Sequence, residues 1–188
     1  WFDAQVGSDI LIGAAVGACL WALVKAVAIF ALKTNEPYLG DVSLFALTGT
    51  RQWIGAHAAH LGEALRLGLI GFLMIFGLRR LLRKDLLAAL AAALLFTLRE
   101  GEVTNSQQAL VIGAIFVAVY ASLAFLLLRI GLVSTIVAVF FVNGFNATVL
   151  GGDWKGWYTA PSLATFALLA AIAAFAFWRS LGGRDLIG

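Results

Sequence analysis

The string His57-Ala-Ala-His60-Leu-Gly-Glu63 sets both histidines of the chain three residues apart, with a carboxylate three residues further on. On a helix, steps of three keep side chains on one face. Imidazole and carboxylate suit zinc or iron, so His57, His60 and Glu63 are the residues with which this chain would hold a metal. The competing reading is an amphipathic lead-in to a membrane helix, with the histidines at the lipid headgroups. The H-E-x-x-H pattern of zinc hydrolases is missing.

Other polar residues interrupt apolar runs. Lys25 lies inside one, where a charge costs about 2.5–3.5 kcal/mol on insertion scales. It reads either as a counter-ion on an ion or proton path, or as a side chain that snorkels to the interface. Asn143 and Asn146 lie inside another. Amides there bond across helices for about 0.6–2 kcal/mol each, or line a polar pathway. Asn146-Ala-Thr148 also matches a glycosylation sequon, which means nothing inside a span. Glu100 and Glu102 invite comparison with the intramembrane prenyl-peptidase family. That family needs adjacent glutamates, a following Arg and later histidines, and none of these is met here. No phosphate-binding glycine loop, nucleophile elbow, C-x-x-C or dinucleotide fingerprint is present, and Cys19 has no second cysteine to pair with. The expectation is a non-catalytic chain without a cofactor, unless a metal sits at His57, His60 and Glu63.

The elements that must position these residues follow from composition. The 188 residues are 62% hydrophobic and 12% charged, with mean hydropathy +0.97. A soluble domain is about 45–50% apolar and about 25% charged. One small core cannot hide this excess, so the chain is integral to a membrane. Long apolar runs without alternation exclude a β-barrel and predict an all-α, polytopic helix bundle. About six transmembrane helices are expected, over residues 10–32, 54–78, 81–98, 109–128, 130–150 and 161–178, in a single domain covering 1–188. The stretch 86–98 is too short for a hydrocarbon core of about 30 Å. It crosses only if residues 81–84 lengthen its helix or the bilayer thins; otherwise it is re-entrant and five spans remain. The tightest joint is Arg129-Ile130-Gly131. Gly13-Ala-Ala-Val-Gly17 is a G-x-x-x-G that admits a close helix, either from this chain or from a second copy.

Charge predicts orientation. Arg79, Arg80, Arg83 and Lys84 mark a cytoplasmic turn under the positive-inside rule. With six spans, Arg129, Arg179 and Arg184 join them inside, and both ends of the chain are cytoplasmic. Lys33, Arg51, Arg99 and Lys155 fall outside, with Trp53, Trp154, Trp157 and Tyr158 as the outer aromatic belt and Trp178 at the inner one. Glu100, Glu102 and Asp153 share the outer side with His57, His60 and Glu63. The net charge of +3 is accounted for by these helix ends and calls for no nucleic acid.

The strings Gly7-Ser-Asp9-Ile-Leu-Ile-Gly13, Trp157-Tyr-Thr-Ala-Pro-Ser-Leu163 and Phe177-Trp-Arg-Ser-Leu-Gly-Gly-Arg184 together resemble the C-terminal multi-span region that follows eukaryotic-like serine/threonine kinase domains in acidobacteria and relatives. The resemblance covers the whole chain and is strongest at its two ends. It implies a cytoplasmic kinase domain upstream of Trp1, in agreement with a chain that starts at Trp rather than Met. It carries no catalytic residue onto this chain. The expected function is a non-catalytic domain of a bacterial inner membrane that anchors, or senses for, a cytoplasmic signalling domain. The alternatives are a transporter, channel or subunit of a larger membrane complex, and a membrane metalloenzyme. The expected partners are the lipid bilayer, the upstream domain and a homo-oligomer or membrane complex.

Overall fold

A computed structural model describes residues 4–31, 44–99, 109–149 and 155–181, with backbone alone at 27–31, 44–45 and 109. The described residues form helices α1 (Ala4–Ala31), α2 (Thr50–Leu82), α3 (Asp85–Arg99), α4 (Ala109–Arg129), α5 (Leu132–Asn146) and α6 (Thr159–Ser180), with a 3-10 turn at Leu44–Leu47 ahead of α2. The fold is all-α, as expected. The calls that fell on Lys33, Glu100, Glu102, Asp153, Trp154 and Arg184 lie outside the described residues.

Its interior is built from small residues and its exterior from large apolar ones. Ala14, Ala64, Ala88, Ala92, Ala138 and Ala176 are buried, while Leu73, Phe76, Leu86 and Leu110 are exposed. In water this pattern would leave the driving force for folding outside. In lipid it is the expected one, because tails already solvate leucine and close backbone approach holds the helices together. Four helices (α1, α2, α4 and α6) are long and apolar enough to cross a membrane. Together these features define a helical membrane protein.

The remaining two helices depart from the six expected spans. α3 and α5 have 15 residues each, about 22 Å against a core of about 30 Å. Residues 81–84 do not lengthen α3. α2 carries Arg79, Arg80, Leu81 and Leu82 as helix, since Arg and Leu are good helix formers and cations favour a helix C-terminus. The chain breaks only at Arg83, in the left-handed conformation (φ 56°), whose N–H donates to Arg79 O at 2.9 Å. Asp85 opens α3 and its carboxylate lies 2.7 Å from Arg79.

α5 tolerates its shortness because it is central. It packs against α1, α2, α4 and α6, and backbone ends at membrane depth are admissible when protein covers them. At its start Gly131 adopts φ 136°, ψ −174°, a region essentially closed to other residues. That lets α4 and α5 form a hairpin across the tight joint. At its end the Thr148 hydroxyl donates to Phe145 O at 2.7 Å, and Ser162 Oγ accepts the Val149 N–H at 3.1 Å.

Register fixes helix directions. A Cβ on Gly13 would fall against Ser134 O, and one on Gly17 against Ala138 O. Equal steps along both chains mean that α1 and α5 run parallel. The G-x-x-x-G therefore admits a helix of its own chain, onto the small pair Ser134 and Ala138. Gly7 meets Ala176, Arg179 and Ser180, so α1 and α6 run antiparallel. Ile75 packs with Ala89, Ala92 and Ala124, and Phe96 stacks on Tyr120, making α2–α3–α4 an up-down set. The start of α1, the end of α6, the α2–α3 turn and the α4–α5 hairpin consequently share one end of the bundle.

Candidate functional site

The opposite end holds the polar residues singled out by spacing. It is formed by the first turns of α2 and α6, the last turn of α5 and the 3-10 turn, with Ala46, Ala56 and Ala147 in mutual contact. Trp53 lies one helical turn before His57. Its Nε1–H donates to Thr165 Oγ1 at 2.9 Å, and the Thr165 hydroxyl donates in turn to Pro161 O at 3.1 Å. Pro161 sits in the first turn of α6, where no N–H has an intrahelical partner.

His57 is buried and its ring lies against Trp53, with centroids 4.5 Å apart. Its Nδ1 is 2.9 Å from Trp53 O. A carbonyl only accepts, so Nδ1 carries the hydrogen, and Nε2 of the neutral ring presents a lone pair. The His60 ring stands edge-on to His57 at 6.0 Å. The Nε2 atoms of both are buried with no hydrogen-bond partner among the described residues.

Glu63 does not join them. Its carboxylate takes Arg66 Nε at 2.9 Å and Arg66 Nη2 at the other oxygen, on the exposed side of α2. Among the described residues no three His, Cys, Asp or Glu side chains converge to hold a metal ion. Two imidazoles alone fall short of the three or four ligands that zinc takes from a protein. What the pair offers is two apolar-shielded nitrogens able to take up a proton or accept a hydrogen bond.

Lys25 is half-buried towards the C-terminal end of α1 and is not a free charge. Asn143 and Asn146 are half-buried on the last turn of α5, and neither is in contact with the histidine pair in any hydrogen bond described. Beside them Phe145 stacks on Trp21 at 5.0 Å and meets Phe166 at 5.6 Å, so the aromatic seam of α1, α5 and α6 borders this end. Trp53, Thr165 and Ser162 are the residues that sequence reasoning missed as parts of the cluster. Trp53 was read only as a belt residue, and its partner Thr165 is 112 positions away.

No protein family, no characterised protein and no solved structure matches the chain.

Proposed function

We propose that the chain is a non-catalytic integral membrane domain of a bacterial cytoplasmic membrane, crossing it several times, and that it anchors or senses for a cytoplasmic kinase-like domain. The observation that carries this reading is the gathering of both described ends of the chain, Gly7 against Ser180, at the end of the bundle that holds Arg79, Arg80, Arg83, Lys84, Arg129 and Arg179. Arg51, Arg99 and Lys155 stand at the other end. The positive-inside rule then favours the cytoplasm for both ends, which suits an attached soluble domain. The Nε2 atoms of His57 and His60, buried and without a hydrogen-bond partner among the described residues, favour sensing from the outer side over anchoring alone.

Two measurements test this. Green fluorescent protein fused after residue 181 or before residue 4 should fluoresce, and alkaline phosphatase at the same points should stay inactive. Phosphatase activity at either end overturns the orientation. The coding sequence ahead of Trp1 should encode a soluble kinase-like domain; a start codon alone there overturns the signalling role.

A further inference from the structure

Between α2, α3, α4 and α5 runs a groove of about 440 Å³, counting its open side. It exists because α2 presents Gly71 where a side chain would fill it; a Cβ there would meet nothing nearer than Phe96 at 3.9 Å, whereas Gly68 is already covered by Ile136 of α5. Its lining is almost wholly apolar. The stacked Phe96 and Tyr120 lie towards one end, and Ile75 and Leu127 towards the other.

The Ile75–Leu127 end opens towards charge. Arg79 follows Ile75 by one helical turn, and Arg80, Arg83 and Lys84 follow it into the α2–α3 turn. Arg79, Arg80, Arg83, Lys84 and Arg129 are all exposed. The acid on this turn is Asp85, paired with Arg79. The guanidinium of Arg129 rests over the exposed Phe125 ring, 5.5 Å from its centroid, on the face of α4 turned away from the groove. Orientation alone needs basic residues at this end, but it does not need an apolar slot leading into them.

We propose that the groove and the basic turn together hold one anionic phospholipid, with an acyl chain along Gly71 and the phosphate at Arg80, Arg83 and Lys84. A long apolar tail and a compact negative head are what an apolar slot ending in guanidinium and ammonium groups complements. The inference rests on the membrane setting and is independent of any attached signalling domain.

The test uses the full chain in a neutral detergent. Melting temperature and native mass spectrometry are recorded with phosphatidylglycerol, with phosphatidylcholine of the same acyl chains, and with glycerol phosphate. Phosphatidylglycerol should bind as a single retained lipid and raise the melting temperature more than phosphatidylcholine does. Arg80→Gln with Lys84→Gln should weaken it about five-fold per charge removed. Gly71→Leu should displace the tail and weaken both lipids. Equal effects of the two lipids, or retention of the phosphatidylglycerol effect by the charge variant, overturns the proposal. An equal effect of glycerol phosphate reduces the site to a phosphate site and overturns the part played by the groove. If the double variant does not fold, Arg80→Gln alone, read by lipid retention in the mass spectrum, gives the same decision.

Discussion

In the α1–α5–α6 group backbones touch, whereas in the α2–α3–α4 group side chains do. Gly13 and Gly17 bring α1 against the carbonyls of Ser134 and Ala138, and Gly7 brings its start against the end of α6. The second group is seamed by Ala89 and Ala92 of α3 against Ile75 and Ala124, with Ala88 and Ala93 of the same helix also buried. Its glycines behave differently. Gly68 is covered by the Ile136 side chain of α5, Gly71 borders the groove, and among the described residues no side chain or other helix comes within 4 Å of where a Cβ on Gly55, Gly62 or Gly77 would stand. The same residue type closes one interface and opens another. What decides is whether a backbone stands opposite. In lipid, where apolar burial gives helices little reason to associate, close backbone contact supplies the attraction. The first group is therefore expected to be the rigid part of the molecule, and the second the part that admits other molecules.

The sharpest way to break this contrast is to add one methyl group to each side. At Gly17 the new Cβ would stand 2.5 Å from Ala138 O and 2.8 Å from Phe141 Cβ. Backbone cannot yield as a side-chain tip can, so α1 must move away as a whole. Gly17→Ala should cost about 3 kcal/mol, the upper part of the usual range for overpacking. Gly71→Ala should change stability by less than about 0.5 kcal/mol, as surface-like substitutions do. Thermal unfolding of both variants in one detergent checks the pair. Equal melting temperatures would mean that the two groups do not differ as described.

The half-buried Trp53–Thr165 bond comes next, and it ties the two groups together, since Trp53 belongs to α2 and Thr165 to α6. Thr165→Val keeps the shape but leaves a half-buried indole N–H without this acceptor, at about 1 kcal/mol. Trp53→Phe removes the donor as well. In a double-mutant cycle, Thr165→Val should cost less in the Trp53→Phe background than alone. Strict additivity would show that the groups meet there without this bond.

Some of this was legible in the sequence and some was not. The steps of three that bring His57 beside His60 are local helix geometry, and they hold. Glu63 follows the same spacing yet turns to Arg66, because that partner also lies three residues away and offers a bidentate fork. The turn expected over residues 79–84 narrows to Arg83 and Lys84, because Arg79, Arg80, Leu81 and Leu82 are good helix formers and α2 runs on through them. The G-x-x-x-G announced a close helix without naming it. Ser134-x-x-x-Ala138 is one of several small-residue pairs, and only the fold selects among them. Trp53 and Thr165 carry no mutual signal at all across so long a separation.

The two turns at the basic end extend the comparison to the backbone. Gly131 lies where only glycine is comfortable, so Gly131→Ala should cost about 1–3 kcal/mol, towards the lower end if the hairpin relaxes. Asn should rescue little, because it favours the left-handed helical region and not φ 136°. Arg83, at φ 56°, ψ 12°, lies in the left-handed region itself, and there Arg83→Gly or Arg83→Asn should leave stability unchanged or slightly raised. Melting temperatures of the variants, taken without added lipid, separate the two turns. An Asn at position 131 that melts with the parent would contradict the described hairpin.

The smallest expected effect is at Gly62, and it asks whether the open face of α2 is open in the membrane. With no side chain or other helix among the described residues within 4 Å of the new Cβ, Gly62→Ala meets no obstacle there. The propensity gain of about 1 kcal/mol seen in water should shrink to within about 0.5 kcal/mol, because a chain kept in lipid stays helical even when its helices separate. Gly62→Leu should then be tolerated equally well, since lipid solvates leucine. Size-exclusion chromatography with light scattering reads the alternative. If Gly62→Leu lowers the mass of the particle or its melting temperature while Gly62→Ala does neither, a second copy lies against this face. The exposed pair Glu63–Arg66, one residue on and one turn down the same helix, would then be a contact between copies and not with lipid headgroups.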